Sequence, residues 1–366
     1  MPEAATAIGG LPPRWRVPLL ILGFVGLIVG TGAGLARLGW AVPATAAAAS
    51  GLHGPLMICG FFGVVISLER AVAIGRLWAY AAPLCAGLAG LATVAGASAI
   101  GAWLFLAGSL VFLAASADVF RRQAALFTFT LGLGALCWVV GNALWALASP
   151  VHEIVGWWLA FLILTIAGER LELSRFMPPS PVARRVFIGL LVVIGTGLAG
   201  GRGTWGATIL AAGLLALSIW LLKQDIARRT VRGKGLTRFI AVCLLSGYAW
   251  LATGAGTILA AGGLVPGTPA YDAALHAIAL GFVFSMVFGH APIIFPAVLR
   301  VAVPYHPTFY LPLALLHGSL VVRLAGDAIG DIGWTRAGGL LNALALLAFI
   351  VGTATAVARG ERRRSP

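Results

Sequence analysis

Apolar stretches of about twenty residues recur along the whole chain, separated by short joints rich in arginine, glycine or proline. About twenty apolar residues in a helix are needed to cross the hydrocarbon layer of a bilayer. The pattern therefore predicts an all-α fold, a polytopic transmembrane helical bundle that forms a single integral membrane domain over residues 1–366. Twelve spans are predicted at roughly 17–36, 52–70, 78–97, 99–117, 124–147, 151–170, 186–201, 204–222, 239–262, 272–296, 308–326 and 336–357.

The basic residues are distributed unequally between the two predicted sides. If the N-terminus is cytoplasmic, twenty-one of the 25 lysine and arginine residues fall in inner loops. Only Arg37, Arg202, Arg323 and Arg336 fall outside. Cytoplasmic loops of inner-membrane proteins carry such an excess of positive charge. The sequence therefore predicts that both termini are cytoplasmic and that the protein lies in the bacterial inner membrane.

Composition and missing motifs narrow the functional classes. The chain is 60% hydrophobic and 10% charged, with a net charge of +14. The positive charge lies in inner loops, where the lipid bilayer with its anionic headgroups explains it, so no nucleic-acid partner is expected. The sequence contains no CxxCH, HExxH or nucleotide-binding motif, so any haem must be held non-covalently. The four cysteines lie within spans, form no CxxC pair, and are predicted to be small buried residues.

Three histidines are predicted near the outer surface, where they could meet in one layer. His53 opens the second span, His152 opens the sixth, and His276 lies about one turn into the tenth. Three histidines at one level can bind copper or zinc, and two can hold a haem iron. The alternative for His53 and His152 is that each ring caps a helix at the headgroup level.

Two methionines accompany histidines at a spacing of four residues. Met57 follows His53, and Met286 precedes His290, on the same helical face in each case. Histidine and methionine together are ligands that haem iron and copper both accept. We therefore predict His53, Met57, His276 and Met286 as cofactor-binding residues, with haem b as the cofactor and copper as a second candidate.

The tenth span contains two histidines, His276 and His290, fourteen residues apart. In an α-helix this spacing returns to within about 40° of the same face and rises about 21 Å, which suits two redox centres at different depths. His317, in the eleventh span, is the predicted partner of His290. Pro292 is predicted to distort this helix and free backbone carbonyls, so the alternative for His290 is a ring bonded to such a carbonyl. His306 is predicted to be solvated in a loop. The predicted metal ligands are thus His53, His152, His276, His290 and His317.

Charged residues within or beside the spans are few. Glu69-Arg70 and Glu169-Arg170 end the second and sixth spans, which hints at an internal repeat, and both pairs are predicted at the membrane interface. Glu153 could orient a ligand or transfer protons. Arg323 is predicted to pair with Asp327 one turn later, or to anchor a haem propionate.

Two helices resemble those of the NnrS family of bacterial twelve-span membrane proteins. Residues 276–286 (HAIALGFVFSM) are similar to the family pattern W-H-A-L-x-x-G-x-x-x-x-M. Residues 53–61 (HGPLMICGF) are similar to the pattern H-A-H-E-M-x-x-G-F, with one histidine where the family has two. The resemblance implies haem and copper binding, a role in nitric oxide metabolism and nitrosative stress, and functional roles for His53 and His276.

The leading hypothesis is a haem-binding inner-membrane protein that handles nitric oxide or related reactive nitrogen species, or passes electrons from a donor. It includes a haem-dependent oxidoreductase, and also an assembly or sensing protein without turnover. The alternative is a proton-coupled secondary transporter that uses the same histidines and acidic residues.

Overall fold

The computed structural model describes residues 10–173, 179–201 and 204–362, and within these ranges all regular structure is helical. Arg175, Arg202, Arg363 and Arg364, which entered the charge count, lie outside the described residues. The twelve long helices are α1 (Pro13–Arg37), α2 (Ser50–Ile74), α3 (Leu77–Val94), α4 (Ser98–Arg122), α5 (Leu126–Ala146), α6 (Val151–Leu173), α7 (Pro181–Ala199), α8 (Thr204–Gln224), α9 (Gly235–Ala260), α10 (Pro269–Leu299), α11 (Pro307–Ile329) and α12 (Ile332–Gly360).

All twelve predicted spans are confirmed as helices that are long and apolar enough to cross a membrane. Large apolar side chains on these helices remain exposed, among them Ile28, Leu136, Val192 and Leu347. Lipid tails solvate such side chains as well as a protein core does, and a helix satisfies its own backbone hydrogen bonds. The protein is therefore a multi-pass membrane protein with an all-α fold.

The helices belong to two compact units. The first unit extends to Gly168 within α6 and also includes Ile294–Arg300 at the end of α10. In it, α1 packs on α2 and α3, and α4 packs on α3 and α5. The second unit contains Glu169–Ile293 and the residues from Val301 onwards, and its helices α7 to α12 pack in chain order, each on the next. The hydrophobic pattern of the sequence does not predict this division.

A buried polar network forms part of the core of the first unit. The Asn142 side chain on α5 accepts hydrogen bonds from Trp158 Nε1 (3.0 Å) and the Cys59 thiol (3.3 Å), and it donates to the Phe105 carbonyl (3.1 Å). Trp138 Nε1 in turn donates to Cys59 Sγ at 3.4 Å. The network joins α2, α4, α5 and α6, so Cys59 is buried as predicted but is also hydrogen-bonded.

Two helices contain π-helical segments, Leu56–Phe62 in α2 and Ala277–Phe284 in α10. Such segments are rare and are frequently found at functional sites. One begins three residues after His53, and the other begins directly after His276. Among the described residues, each unit thus has one helix in which a histidine precedes a π-helical segment.

The π-helical segment of α10 changes two predictions. The segment lies between His276 and His290, and each residue of a π-helix turns through less than 100°. The calculation that placed the two histidines on one face assumed a uniform α-helix, so it does not apply to α10. Helix distortion was expected at Pro292, but α10 continues through that residue to Leu299. The irregular backbone is instead the preceding π-helical segment.

Candidate functional site

His53, near the N-terminal end of α2, has its ring against a glycine-rich face of α1. Its Nδ1 lies 2.7 Å from the Gly30 carbonyl oxygen. A Cβ built on Gly34 would lie 2.9 Å from both Nδ1 and Cε1 of the ring. A carbonyl oxygen only accepts hydrogen bonds, so Nδ1 carries the proton and Nε2 is the basic nitrogen. The small residues of α1 therefore let the ring reach the backbone and fix its tautomer.

Met57 shares this face of α2 with His53, as predicted. It is buried, and a Cβ built on Gly30 would lie 2.9 Å from its sulfur. The Thr31 hydroxyl lies 3.9 Å from the same sulfur. His53 and Met57 thus both pack around Gly30 of α1.

His152 and His306 are the two exposed histidines. His152 is the second residue of α6. This is the position at which a helix cap was the alternative to a metal ligand. His306 lies just before α11, where its Nδ1 contacts the Thr308 hydroxyl at 3.0 Å. The predicted solvated position of His306 is confirmed.

His276 belongs to a polar cluster at the N-terminal end of α10. Its Nδ1 lies 2.8 Å from the Asp272 carbonyl oxygen and 3.3 Å from the Asp272 carboxylate. Nδ1 is therefore the protonated nitrogen, as in His53, and Nε2 is the basic one. The Asp272 carboxylate also accepts two hydrogen bonds from Arg323, at 2.8 Å from Nε and 2.9 Å from Nη2.

This cluster corrects the predicted pairing of Arg323 with Asp327. Asp272 binds the guanidinium with both carboxylate oxygens, a geometry that satisfies two N–H donors at once. Asp327 instead accepts a hydrogen bond from the Thr335 hydroxyl at 3.0 Å. Two of the guanidinium N–H donors proposed for a haem propionate are thus engaged by a protein carboxylate.

His290 contacts Arg170 in the second unit. The His290 Nδ1 donates to the Met286 carbonyl at 2.7 Å, so its Nε2 accepts from Arg170 Nη2 at 2.6 Å. The carbonyl-bonded alternative for His290 is therefore observed. Arg170 was predicted at the membrane interface but is only 6% exposed. Within the described part of the chain its Nε has no hydrogen-bond partner.

His317 lies between two residues of α9. Trp250 Nε1 donates to its Nδ1 at 2.9 Å, so the protonated nitrogen is Nε2, which contacts the Ser246 hydroxyl at 3.0 Å. The indole of Trp250 also stacks on the imidazole. The predicted pairing of His317 with His290 is not formed, because the ring nitrogens of both are bonded to other residues.

Met286 is buried against α9. A Cβ built on Gly247 would lie 2.5 Å from the Met286 methyl carbon. Its backbone carbonyl accepts the hydrogen bond from His290 described above. The predicted neighbour relation of Met286 and His290 is thus formed through the backbone.

The five predicted metal ligands differ in their hydrogen bonding. His53, His276 and His290 share one arrangement, in which Nδ1–H bonds a carbonyl oxygen and Nε2 is basic, but the Nε2 of His290 accepts a hydrogen bond from Arg170. That arrangement is typical of histidines that bind metals through Nε2. In the described ranges, no three His, Cys, Asp or Glu side chains lie close enough to hold a metal ion. A haem iron requires fewer protein ligands than such a site.

Three contributing residues were missed by sequence reasoning. Arg170 offered a signal, because an arginine near the end of an apolar span can turn inward instead of reaching the interface. Asp272 offered a signal, because it lies one helical turn before His276. Trp250 offered no signal, since an indole in an apolar helix is usually a packing residue.

The chain was compared with known protein families and with curated proteins. A family model described as a domain of unknown function, DUF8744, matches residues 16–358. No curated protein matches the chain. Because the match extends from α1 into α12 and covers most of the sequence, the protein belongs to the DUF8744 family.

Proposed function

We propose that this protein binds haem b in the bacterial inner membrane, with His53 and His276 each serving as an iron ligand. The observation that supports the proposal is their common hydrogen bonding, which makes Nε2 the basic nitrogen of both rings. The π-helical segment that follows each histidine adds support. The resemblance of these two helices to the NnrS family points to the same residues.

When bound, a haem iron would bind a diatomic gas such as nitric oxide or accept electrons from a donor. The residues of this chain would set its ligation and the polarity around it. Gly30 and Gly34 hold the His53 ring by close approach, and the Asp272 carbonyl orients His276. An apolar gas dissolves in lipid, so the membrane itself provides a route to such a site. Copper also accepts imidazole nitrogens as ligands, so we propose it as the second candidate metal.

The proposal predicts a haem b spectrum that depends on both histidines. After haem-supplemented expression, the purified protein should show a reduced-minus-oxidised spectrum and a pyridine haemochrome of haem b. His53→Gly and His276→Gly should each lower haem affinity by about tenfold or more, since even residues that only orient a ligand contribute that much. Added imidazole should restore part of the spectrum, because it replaces the lost nitrogen without changing the fold.

His306→Ala is the matched control, because it removes an exposed loop histidine and should leave the spectrum unchanged. His317→Phe tests whether any buried histidine has the same effect. A wild-type protein that remains colourless and metal-free would exclude the haem proposal. Equal loss of haem in the His306 and His53 variants would show that the ligand assignment is wrong.

A proton-coupled secondary transporter is the second candidate. It is favoured by the acid–base groups of the second unit, where buried Arg170 contacts His290 and the Tyr248 hydroxyl donates to the Asp225 carboxylate. Polar groups within membrane-spanning segments frequently mark ion or proton pathways. The pathway would involve side chains that the haem proposal does not use.

The transporter candidate predicts proton uptake by proteoliposomes under an imposed membrane potential, followed with an internal pH dye. Arg170→Gln should abolish the uptake, because His290 would lose the cation that contacts its Nε2. Arg122→Gln is the control, since Arg122 is an exposed residue paired with Asp118 on the surface of α4. If vesicles that contain the wild-type protein take up protons no faster than protein-free vesicles, the transporter candidate is excluded.

A further inference from the structure

A surface pocket of about 400 Å³ lies beside the N-terminal end of α9 in the second unit. Among the described residues, its lining contains two cationic and two phenolic side chains and no carboxylate. The lining residues are Lys234, Gly235, Arg238, Val242, Tyr305 and Tyr310. The pocket therefore carries net positive charge and four side chains that can donate hydrogen bonds.

The aromatic side of the pocket is held by packing. Phe239 is 1% exposed and contacts three aromatic rings, with centroid distances of 5.1 Å to Tyr310, 5.7 Å to Phe309 and 6.4 Å to Tyr305. The contacts with Tyr310 and Phe309 are edge-to-face and the contact with Tyr305 is tilted, and such packing restricts the orientation of the rings. The two tyrosines are thus positioned before any ligand binds.

The cations of the pocket are not neutralised by the protein. Neither Lys234 nor Arg238 forms an ion pair with another residue in the part of the chain that the structure describes. Lys234 precedes α9, and its side chain does not cap the helix. The first N–H groups of a helix have no partner within the helix and add partial positive charge. Lysine, arginine and tyrosine side chains together match the oxygens of a phosphate group.

We propose that this pocket binds the phosphate group of an anionic phospholipid headgroup. Basic pockets between membrane helices on the cytoplasmic side bind anionic lipids, and tyrosine is enriched at the membrane–water interface. The preceding joint also contains Arg228, Arg229 and Arg232, which would raise the local concentration of anionic lipid. A soluble phosphate ester has the same chemistry, but lipid is present at much higher local concentration beside a membrane helix.

Native mass spectrometry of the full-length protein in detergent tests the proposal. Phosphatidylglycerol should be retained in preference to phosphatidylcholine, with one saturable site. Lys234→Gln/Arg238→Gln should weaken that site by about tenfold or more, since each cation near a membrane surface contributes strongly to anionic lipid binding. Tyr305→Phe should weaken it less, because one hydroxyl is lost and the ring remains.

Arg228→Gln/Arg232→Gln is the charge-matched control, because both arginines lie in the same loop but do not line the pocket. Equal weakening by the two double variants would overturn the proposal, since it would show a general charge effect. Binding of inorganic phosphate that displaces the lipid at millimolar concentration would overturn the lipid assignment in favour of a soluble phosphate ligand. Lipid binding that survives both Lys234→Gln/Arg238→Gln and Tyr305→Phe would place the lipid elsewhere.

Discussion

Asp272→Asn is expected to lower the free energy of unfolding by about 3 kcal/mol, because it leaves a buried cation without its counter-charge. The Arg323 side chain is 8% exposed, and two of its N–H groups donate to the Asp272 carboxylate. Asparagine retains one acceptor oxygen but not the negative charge. Thermal unfolding in detergent, followed by intrinsic tryptophan fluorescence, measures the change.

Asp118→Asn is the control for this prediction. Asp118 pairs with Arg122, whose side chain is 47% exposed, and such surface pairs contribute about 0.5 kcal/mol or less. Replacing both Asp272 and Arg323 by leucine should cost less than Asp272→Asn alone, because no unpaired charge remains. If Asp272→Asn and Asp118→Asn have equal effects, the buried ion pair does not stabilise the second unit as we infer.

Asn142→Leu is expected to destabilise the first unit by about 3 kcal/mol, because each buried donor or acceptor left unsatisfied costs about 1–3 kcal/mol. The substitution leaves the Trp158 indole N–H without an acceptor and the Phe105 carbonyl without the Asn142 donor. Leucine is similar in size, so a cavity contributes little. The same unfolding experiment applies, with the intrinsic tryptophan fluorescence of the whole protein as the signal.

Asn342 offers a matched comparison in the second unit. It is also buried, and its Nδ2 donates to the Ser319 hydroxyl at 2.6 Å. Its Oδ1, however, has no hydrogen-bond partner among the described residues. Asn342→Leu should therefore cost less than Asn142→Leu, since it also removes an unsatisfied oxygen. A larger effect at Asn342 would contradict the assignment of Asn142 as the centre of a stabilising network.

The helix count could be predicted because hydrophobic length is a local property of the sequence. A stretch such as residues 17–36 must be helical in lipid, since only a helix or a closed barrel satisfies its backbone there. The i and i+4 relation of His53 and Met57 was also predictable from helix geometry. Burial of Cys59 followed from its place within an apolar span.

Contacts between helices could not be predicted in the same way. Arg323 had a carboxylate one turn away on its own helix, yet it binds Asp272 on α10. His317 was assigned to His290 by depth alone, but its neighbours Trp250 and Ser246 lie on α9. Depth in the membrane restricts one coordinate of a side chain, whereas contact requires all three. The π-helical segment of α10 also changed the face on which His290 lies relative to His276.

The sequence by itself determined the all-α fold, the twelve spans and the candidate histidines, because these depend on hydrophobicity and on residue type along one helix. Only the tertiary structure decided which residues contact the rings of His53 and His317, and therefore which nitrogen of each is protonated. Those properties depend on acceptors such as the Gly30 carbonyl, which becomes accessible to His53 only where two helices approach closely through glycine. The division into two units likewise depends on contacts between helices, which no local pattern encodes.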